Sequence, residues 1–281
     1  MFETIFLFSL AFLWILFATI QDIRTKEIAN WLNFSLAIFA LGFRLFYSLF
    51  SAGNLDFFYQ GLIGLAIFFV VGNLFYYGKL FAGGDAKLLI SLGAVIPISV
   101  SFASTLQLLF FFLVIFLVSG AVYGIVVSAV LCIKNYGRFK REFRRQIKSS
   151  KGMIYLFLAS AAVLLVLGYY VDSLFFFLAI LTFFSAYFYP YAKAVDEAAM
   201  VRLIPVTALT EGDWLYENVR VGRKVIKTSW GGLTHEDLMS LRRMKSKKVR
   251  IRQGIAFTPV FLISFLVFVC LVSAGLWYPL W

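Results

Sequence analysis

Asp22 and Asp85 are the two residues of this 281-residue chain whose type and setting could break a covalent bond. Asp22 stands in Ile20-Gln21-Asp22-Ile23-Arg24, where an apolar stretch gives way to charge. Asp85 stands in Phe81-Ala82-Gly83-Gly84-Asp85-Ala86-Lys87, where a glycine pair leads into another apolar stretch. Two carboxylates held close together in a low-dielectric site cannot both ionise easily. One keeps a proton and acts as an acid, while the other is a base that activates water. That division of labour suits peptide hydrolysis, with the titration belonging to the pair. Gly83 and Gly84 would let backbone approach a substrate strand beside the reacting carboxylate. Spacing alone leaves plainer roles open. Asp22 could be an interfacial ion-pair partner of Arg24 and Lys26, and Asp85 a helix N-cap after a Gly-Gly turn.

The elements that would carry these residues are membrane spans. The chain is 62% hydrophobic and 14% charged with a mean hydropathy of +0.90, whereas soluble domains run at roughly a quarter charged. About 20 apolar residues cross a hydrocarbon core as a helix. Uncharged stretches give spans at 4–20, 31–50 and 57–78. The long charge-free block 88–133 divides at Pro97 and the nearby Ser99, Ser101 and Ser104 into a short span, about 85–96, and a longer one to Ile133. Spans at 152–171 and 173–191 follow, with Asp172 in the turn between them, and a last one at about 255–277. Open sheets cannot satisfy their backbone in lipid. The expected fold is thus an all-α polytopic membrane protein of about eight transmembrane helices with a small cytoplasmic α+β module. In that module, Val219–Lys227 alternates around Gly222 as a hairpin, Thr234 and Asp237 form a capping box for a helix to Met244, and Lys248–Arg252 reads as a strand. The expected organisation is a five-span core at 1–134, a basic loop at 135–151, an additional hairpin at 152–191, the module at 192–254 and a last span at 255–281. The first block lacks a basic opening and a small-residue cleavage site, so it reads as a retained span.

Charge sets the orientation. With eight crossings every Lys and Arg except Arg44 falls on one side, which the positive-inside rule makes cytoplasmic. Both termini are then extracytoplasmic, and Arg44 is expected to snorkel outward at the end of the second span. The formal net charge of +12 lies beside spans, so its expected partner is the anionic headgroup surface rather than nucleic acid. The run 134–151 has few interleaved aromatics for base stacking. Cys132, Cys270 and the lone His235 have no metal-ligand spacing, so no metal or other cofactor is expected. The cysteines read as packing residues, and His235 as a surface residue without a partner. Asp56 and Asp172 fall on the opposite side from Asp22 and Asp85.

Asp22-Ile23-Arg24-Thr25-Lys26-Glu27-Ile28-Ala29-Asn30 together with Gly84-Asp85-Ala86-Lys87 resembles the archaeal prepilin and preflagellin peptidases. These are the G-x-G-D aspartyl proteases that process type IV pilin-like signal peptides. The segments Glu211-Gly212-Asp213-Trp214-Leu215, Gly232-Leu233-Thr234 and Gly254-Ile255-x-Phe257-x-Pro259 look like the tail and last span of archaeal members. The resemblance implies that Asp22 and Asp85 are the catalytic pair and that prepilin or preflagellin precursors are the substrates. Gly83, Gly84, Lys87, Glu27 and Asn30 would support the pair. Lys87 either biases its charge or only anchors a helix, and Asn30 reads as a helix-terminal or interhelical hydrogen-bonding residue. Three departures stand out: Ala82 replaces the first motif glycine, the 152–191 hairpin is an addition to six-span members, and the four-cysteine cluster of methylating bacterial relatives is missing. Peptidase activity without N-methylation is the expectation. The rival is a carrier or lipid-handling protein with an interfacial acid pair, disfavoured because carriers bind near the bilayer midplane. Oligomeric state is open at this level.

Overall fold

A computed structural model gives the fold, describing residues 2–98, 101–222, 224–229, 231–243 and 248–276. Helices α1 (Phe2–Thr25), α2 (Asn30–Tyr47), α3 (Asp56–Tyr77), α4 (Gly83–Gly93) and α5 (Phe102–Lys134) come first. The polytopic expectation holds. Among the described residues six helices are long and apolar enough to cross a membrane, and α10 (Thr258–Ser273) is a shorter apolar one. The division near Pro97 is present, since α4 ends at Gly93 and α5 begins at Phe102. Ser99, and the ends expected at Met244 and Trp277, lie outside the described residues.

The chain divides into two compact units. One comprises 1–124 and 255–281, the other 125–254, with α5 running from the first into the second. In the first unit α1 packs against α10 and α2, while α4 packs against α3 and α2. Hence α2 is shared by the helices that carry the two aspartates. The core is rich in phenylalanine, with Phe68, Phe112, Phe116, Phe261, Phe265 and Phe268 all buried. The crossing of α3 and α4 is close because Gly64 and Gly93 face each other, and a Cβ on either would run into the other's carbonyl oxygen. Small residues allow such backbone approach in lipid, where hydrophobicity alone does not hold helices together.

Arg44 overturns one expectation. It does not snorkel outward but is fully buried. Its guanidinium donates to the carbonyls of Ala94 at 2.7 Å, Phe57 at 2.8 Å and Val95 at 3.1 Å, and also to that of Pro97. The ring of Phe57 lies 4.3 Å away. The cause is the break after α4: the last carbonyls of a helix have no intrahelical acceptor role to fill, and Pro97 supplies no N–H to return one. A buried five-donor fork gathers them.

In the second unit α7 (Lys151–Tyr170) and α8 (Leu174–Val195) form a hairpin, and Asp172 caps its turn by accepting from the Leu174 N–H at 2.7 Å. The basic run expected as a loop is instead a helix, α6 (Tyr136–Ser149). It packs on α8 through Phe139, whose ring meets Tyr191, and Gln146 is buried. Strands β1 (Val201–Pro205), β5 (Lys248–Arg252) and β2 (Trp214–Leu215) pair antiparallel in the order β1-β5-β2. Strands β3 (Val219–Val221) and β4 (Lys224–Ile226) form the expected hairpin around Gly222, whose φ is +59°. Helix α9 (His235–Arg242) opens as expected, with the Thr234 hydroxyl accepting from the Asp237 N–H. His235, expected to be unpartnered, meets the Glu211 carboxylate. Cys132 is half-buried and Cys270 exposed, so neither is a core thiol.

Candidate functional site

Asp22 lies in the last turn of α1, and Asp85 is the third residue of α4, after Gly83 and Gly84. Both are buried, at 6% and 9% exposure, and they lie near enough for the charge of one to act on the other. The helices themselves touch little among the described residues. The approach is made by helix ends rather than by a packed α1–α4 seam, and α2 bridges them.

The plainer role for each aspartate does not fit the geometry. Asp22 is not paired with Arg24 or Lys26, which are exposed. Its Oδ2 accepts from the backbone N–H of Thr258 at 3.0 Å and from the Thr258 hydroxyl at 2.7 Å. Asp85 is not the N-cap of α4. That position is Ala82, without a side-chain cap, and the Asp85 carboxyl reaches back toward the Ala82 N–H. Burying a carboxylate is costly unless hydrogen bonds replace water. Two buried acids that act on each other, away from any lysine or arginine partner among the described residues, therefore mark a place where stability has been given up.

The remaining predicted residues divide. Gly84 belongs to the site framework: its carbonyl accepts from the Asn33 amide at 3.3 Å, and a Cβ there would stand 3.2 Å from the Ile28 Cβ. Gly83 is less confined, since its nearest neighbour would be a Tyr76 ring atom at 3.6 Å. Lys87 does not reach Asp85. Its ammonium donates to the Asn30 Oδ1 at 2.7 Å, and Asn30 is the first residue of α2, so this bond ties α4 to α2. Glu27 stays exposed on the loop between α1 and α2, and no contact joins its carboxylate to either aspartate among the described residues.

Three residues not singled out as site candidates complete the setting. Thr258 is fully buried at the head of α10. Asn33 is buried on α2, and its backbone carbonyl accepts from the Ser91 hydroxyl of α4 at 2.7 Å. The Tyr123 phenol of α5 donates to the Ala256 carbonyl at 2.8 Å and lies within the field of Asp22. Below them Phe81 meets the rings of Phe116 at 5.7 Å and Phe257 at 5.5 Å, closing the apolar floor under the α4 turn. Thr258 occupies the second unspecified place in Ile255-x-Phe257-x-Pro259. A hydroxyl at the first position of a helix, next to a proline, was the signal available for it.

Residues 9–125, which hold both aspartates, match the type IV leader peptidase family. The chain is similar to a preflagellin peptidase of Methanococcus voltae, at 31% identity over 136 residues, covering 46% of this chain and 57% of the relative. A preflagellin peptidase of Methanococcus maripaludis is 31% identical over 83 residues, covering 30% of this chain and 35% of the relative. The chain thus spans little more than half the length of these curated relatives at most. No solved structure gives a significant match.

Proposed function

We propose that this protein is a membrane-embedded aspartyl endopeptidase that removes the leader of type IV pilin-like precursors, of which preflagellins are one kind. The carrying observation is a pair of buried carboxylates, near enough for the charge of Asp22 to act on Asp85, within the segment that matches the leader peptidases. The names of the relatives support the substrate class. In this reading Asp22 and Asp85 flank the scissile peptide bond. One carboxylate takes a proton from water as its oxygen attacks the carbonyl carbon, and the other gives its proton to the carbonyl oxygen. Collapse of the tetrahedral intermediate breaks the C–N bond and returns a proton to the leaving nitrogen, restoring the starting state of the pair. No metal or other cofactor enters the reaction.

Gly83 and Gly84 supply the unobstructed backbone turn along which an extended substrate strand lies, while Lys87, Asn30 and Glu27 shape the rim. The positive-inside pattern supports a cytoplasmic active site and extracytoplasmic termini. The exposed basic residues of α6, such as Arg141, Arg144 and Arg145, face anionic headgroups. The chain lacks a four-cysteine cluster of the methylating kind, and the product is released without N-methylation.

The test is cleavage of a preflagellin-type precursor in detergent by wild type, Asp22→Asn and Asp85→Asn, each checked for folding and membrane insertion. Removing an acid–base group costs about 10²–10⁴ in rate, and the double variant should lose no more than the worse single one, because the pair acts as a unit. Full activity in either single variant would sink the dyad.

A further inference from the structure

Building on the peptidase reading, we infer that Thr258 is the positioning residue that makes Asp22 the base of the pair and leaves the exchangeable proton on Asp85. Asp22 and Asp85 are chemically identical, and both sit at helix ends, so the asymmetry must come from their partners. Asp22 lies at the C-terminal end of α1, where the helix dipole disfavours a negative charge. Asp85 lies in the first turn of α4, where the dipole favours one. On dipoles alone Asp85 would be the ionised member.

Direct hydrogen bonds reverse that order. One oxygen of Asp22 receives two donors from Thr258, an N–H at 3.0 Å and a hydroxyl at 2.7 Å. Asp85 has only the reach back to the Ala82 N–H, and no hydroxyl bonds it among the described residues. Short bonds from a hydroxyl and an amide to a carboxylate are of the charge-assisted kind, roughly twice as strong as neutral ones. A dipole effect is the weaker term, typically below about 1 kcal/mol. Thr258 is also the first residue of α10, so Asp22 satisfies one of that helix's free N–H groups from outside the helix.

The donor is held rigidly. Thr258 is fully buried, and its carbonyl accepts from the Thr19 hydroxyl at 3.5 Å. Pro259 follows it, and Ala256 two residues earlier is fixed by Tyr123. Among the described residues the charge of Asp22 acts on Asp85 of α4 and Tyr123 of α5, and Arg24 and Lys26 on its own segment are exposed. With Oδ2 committed to Thr258, Oδ1 takes the proton from the attacking water, while the Asp85 proton passes to the substrate carbonyl oxygen. When the C–N bond breaks, Asp22 passes its proton to the leaving nitrogen and Asp85 recovers one from the collapsing hydroxyl.

Thr258→Val keeps the shape and the N–H and removes only the hydroxyl; Thr258→Ser keeps the hydroxyl. A hydrogen bond to a charged group shifts an equilibrium by about ten- to a hundredfold. Cleavage of a preflagellin-type precursor should therefore show kcat down by about that factor in Thr258→Val with KM within about twofold, and most of the activity retained in Thr258→Ser. Wild-type kcat in Thr258→Val, or equal loss in both variants, overturns the assignment. Melting temperature in detergent gives a readout that needs no substrate. Thr258→Val should lower it when Asp22 is present and leave it unchanged in Asp22→Ala, whereas equal lowering in both backgrounds refutes the coupling. Wild type that cleaves no precursor would count against the peptidase reading, and the melting cycle would still decide the Thr258–Asp22 coupling.

Discussion

Replacing Arg44 by methionine removes the clamp on the end of α4 while keeping most of the side-chain volume. Arg44 donates to the carbonyls of Phe57, Ala94, Val95 and Pro97. Each bond from a charged group contributes about 1.5–3 kcal/mol net, so the four together would stabilise by about 6–12 kcal/mol before the guanidinium's own desolvation is counted. That desolvation costs several kcal/mol, leaving a net loss of about 3–5 kcal/mol in Arg44→Met. At about 2–4 °C per kcal/mol for a chain of a couple of hundred residues, the melting temperature should fall by roughly 10 °C. Arg44→Lys should fall in between, because an ammonium has three donors and lacks the planar fork. Intrinsic fluorescence during a temperature ramp in detergent micelles reads the change. If Arg44→Met melts within about 2 °C of wild type, the carbonyls at 94–97 are satisfied without the guanidinium and the reasoning fails.

Three further substitutions probe how α4 is seated. Gly93→Ala places a Cβ against the Gly64 carbonyl, and backbone cannot yield as a flexible side chain does; it should cost about 1–3 kcal/mol as an overpacking strain, seen as a lower melting temperature together with reduced cleavage. Gly84→Ala brings its Cβ to 3.2 Å from Ile28, whereas Gly83→Ala makes only an ordinary contact at 3.6 Å with Tyr76. Melting temperature should therefore fall in Gly84→Ala and stay near wild type in Gly83→Ala, while cleavage falls several-fold in both because the substrate strand lies along this turn; full cleavage in Gly83→Ala would refute that path.

The spans were legible because lipid imposes a one-dimensional rule. Thr4–Ile20 and Phe57–Gly78 read from charge alone match α1 (Phe2–Thr25) and α3 (Asp56–Tyr77) to within a few residues, the extra turn of α1 being the one that carries Asp22. Local chemistry likewise showed the Gly222 hairpin and the Thr234–Asp237 cap, since a left-handed turn residue and an N-cap act on their immediate neighbours. Most of what failed has a distant partner. The snorkelling rule reads Arg44 from its nearness to a span end. Its burial depends instead on carbonyls 50 or more residues away and on Gly61, whose missing side chain makes room for the Arg44 Cδ and Nε. Thr258 meets Asp22 across 236 residues. The basic run 135–151 reads as a headgroup-contacting loop because its charge is conspicuous; Phe139, Phe143 and Ile147, four residues apart, are the helical signal beneath it.

The position of each aspartate is thus set from outside its own helix. Asp85 stands at the head of an 11-residue helix, about 16 Å long at 1.5 Å per residue. Its tail is fixed by Arg44 and its side by the Gly64–Gly93 crossing. Asp22 is held by the first residue of α10. The two arrangements meet at the Phe81–Phe257 ring contact and through α2. Its Asn33 bonds the Gly84 carbonyl and receives the Ser91 hydroxyl, its Asn30 receives Lys87, and its Ser35 hydroxyl accepts from the Trp14 indole of α1 at 2.9 Å. Arg44 is itself an α2 residue. One helix without a reacting group is therefore bonded to both helices that carry one.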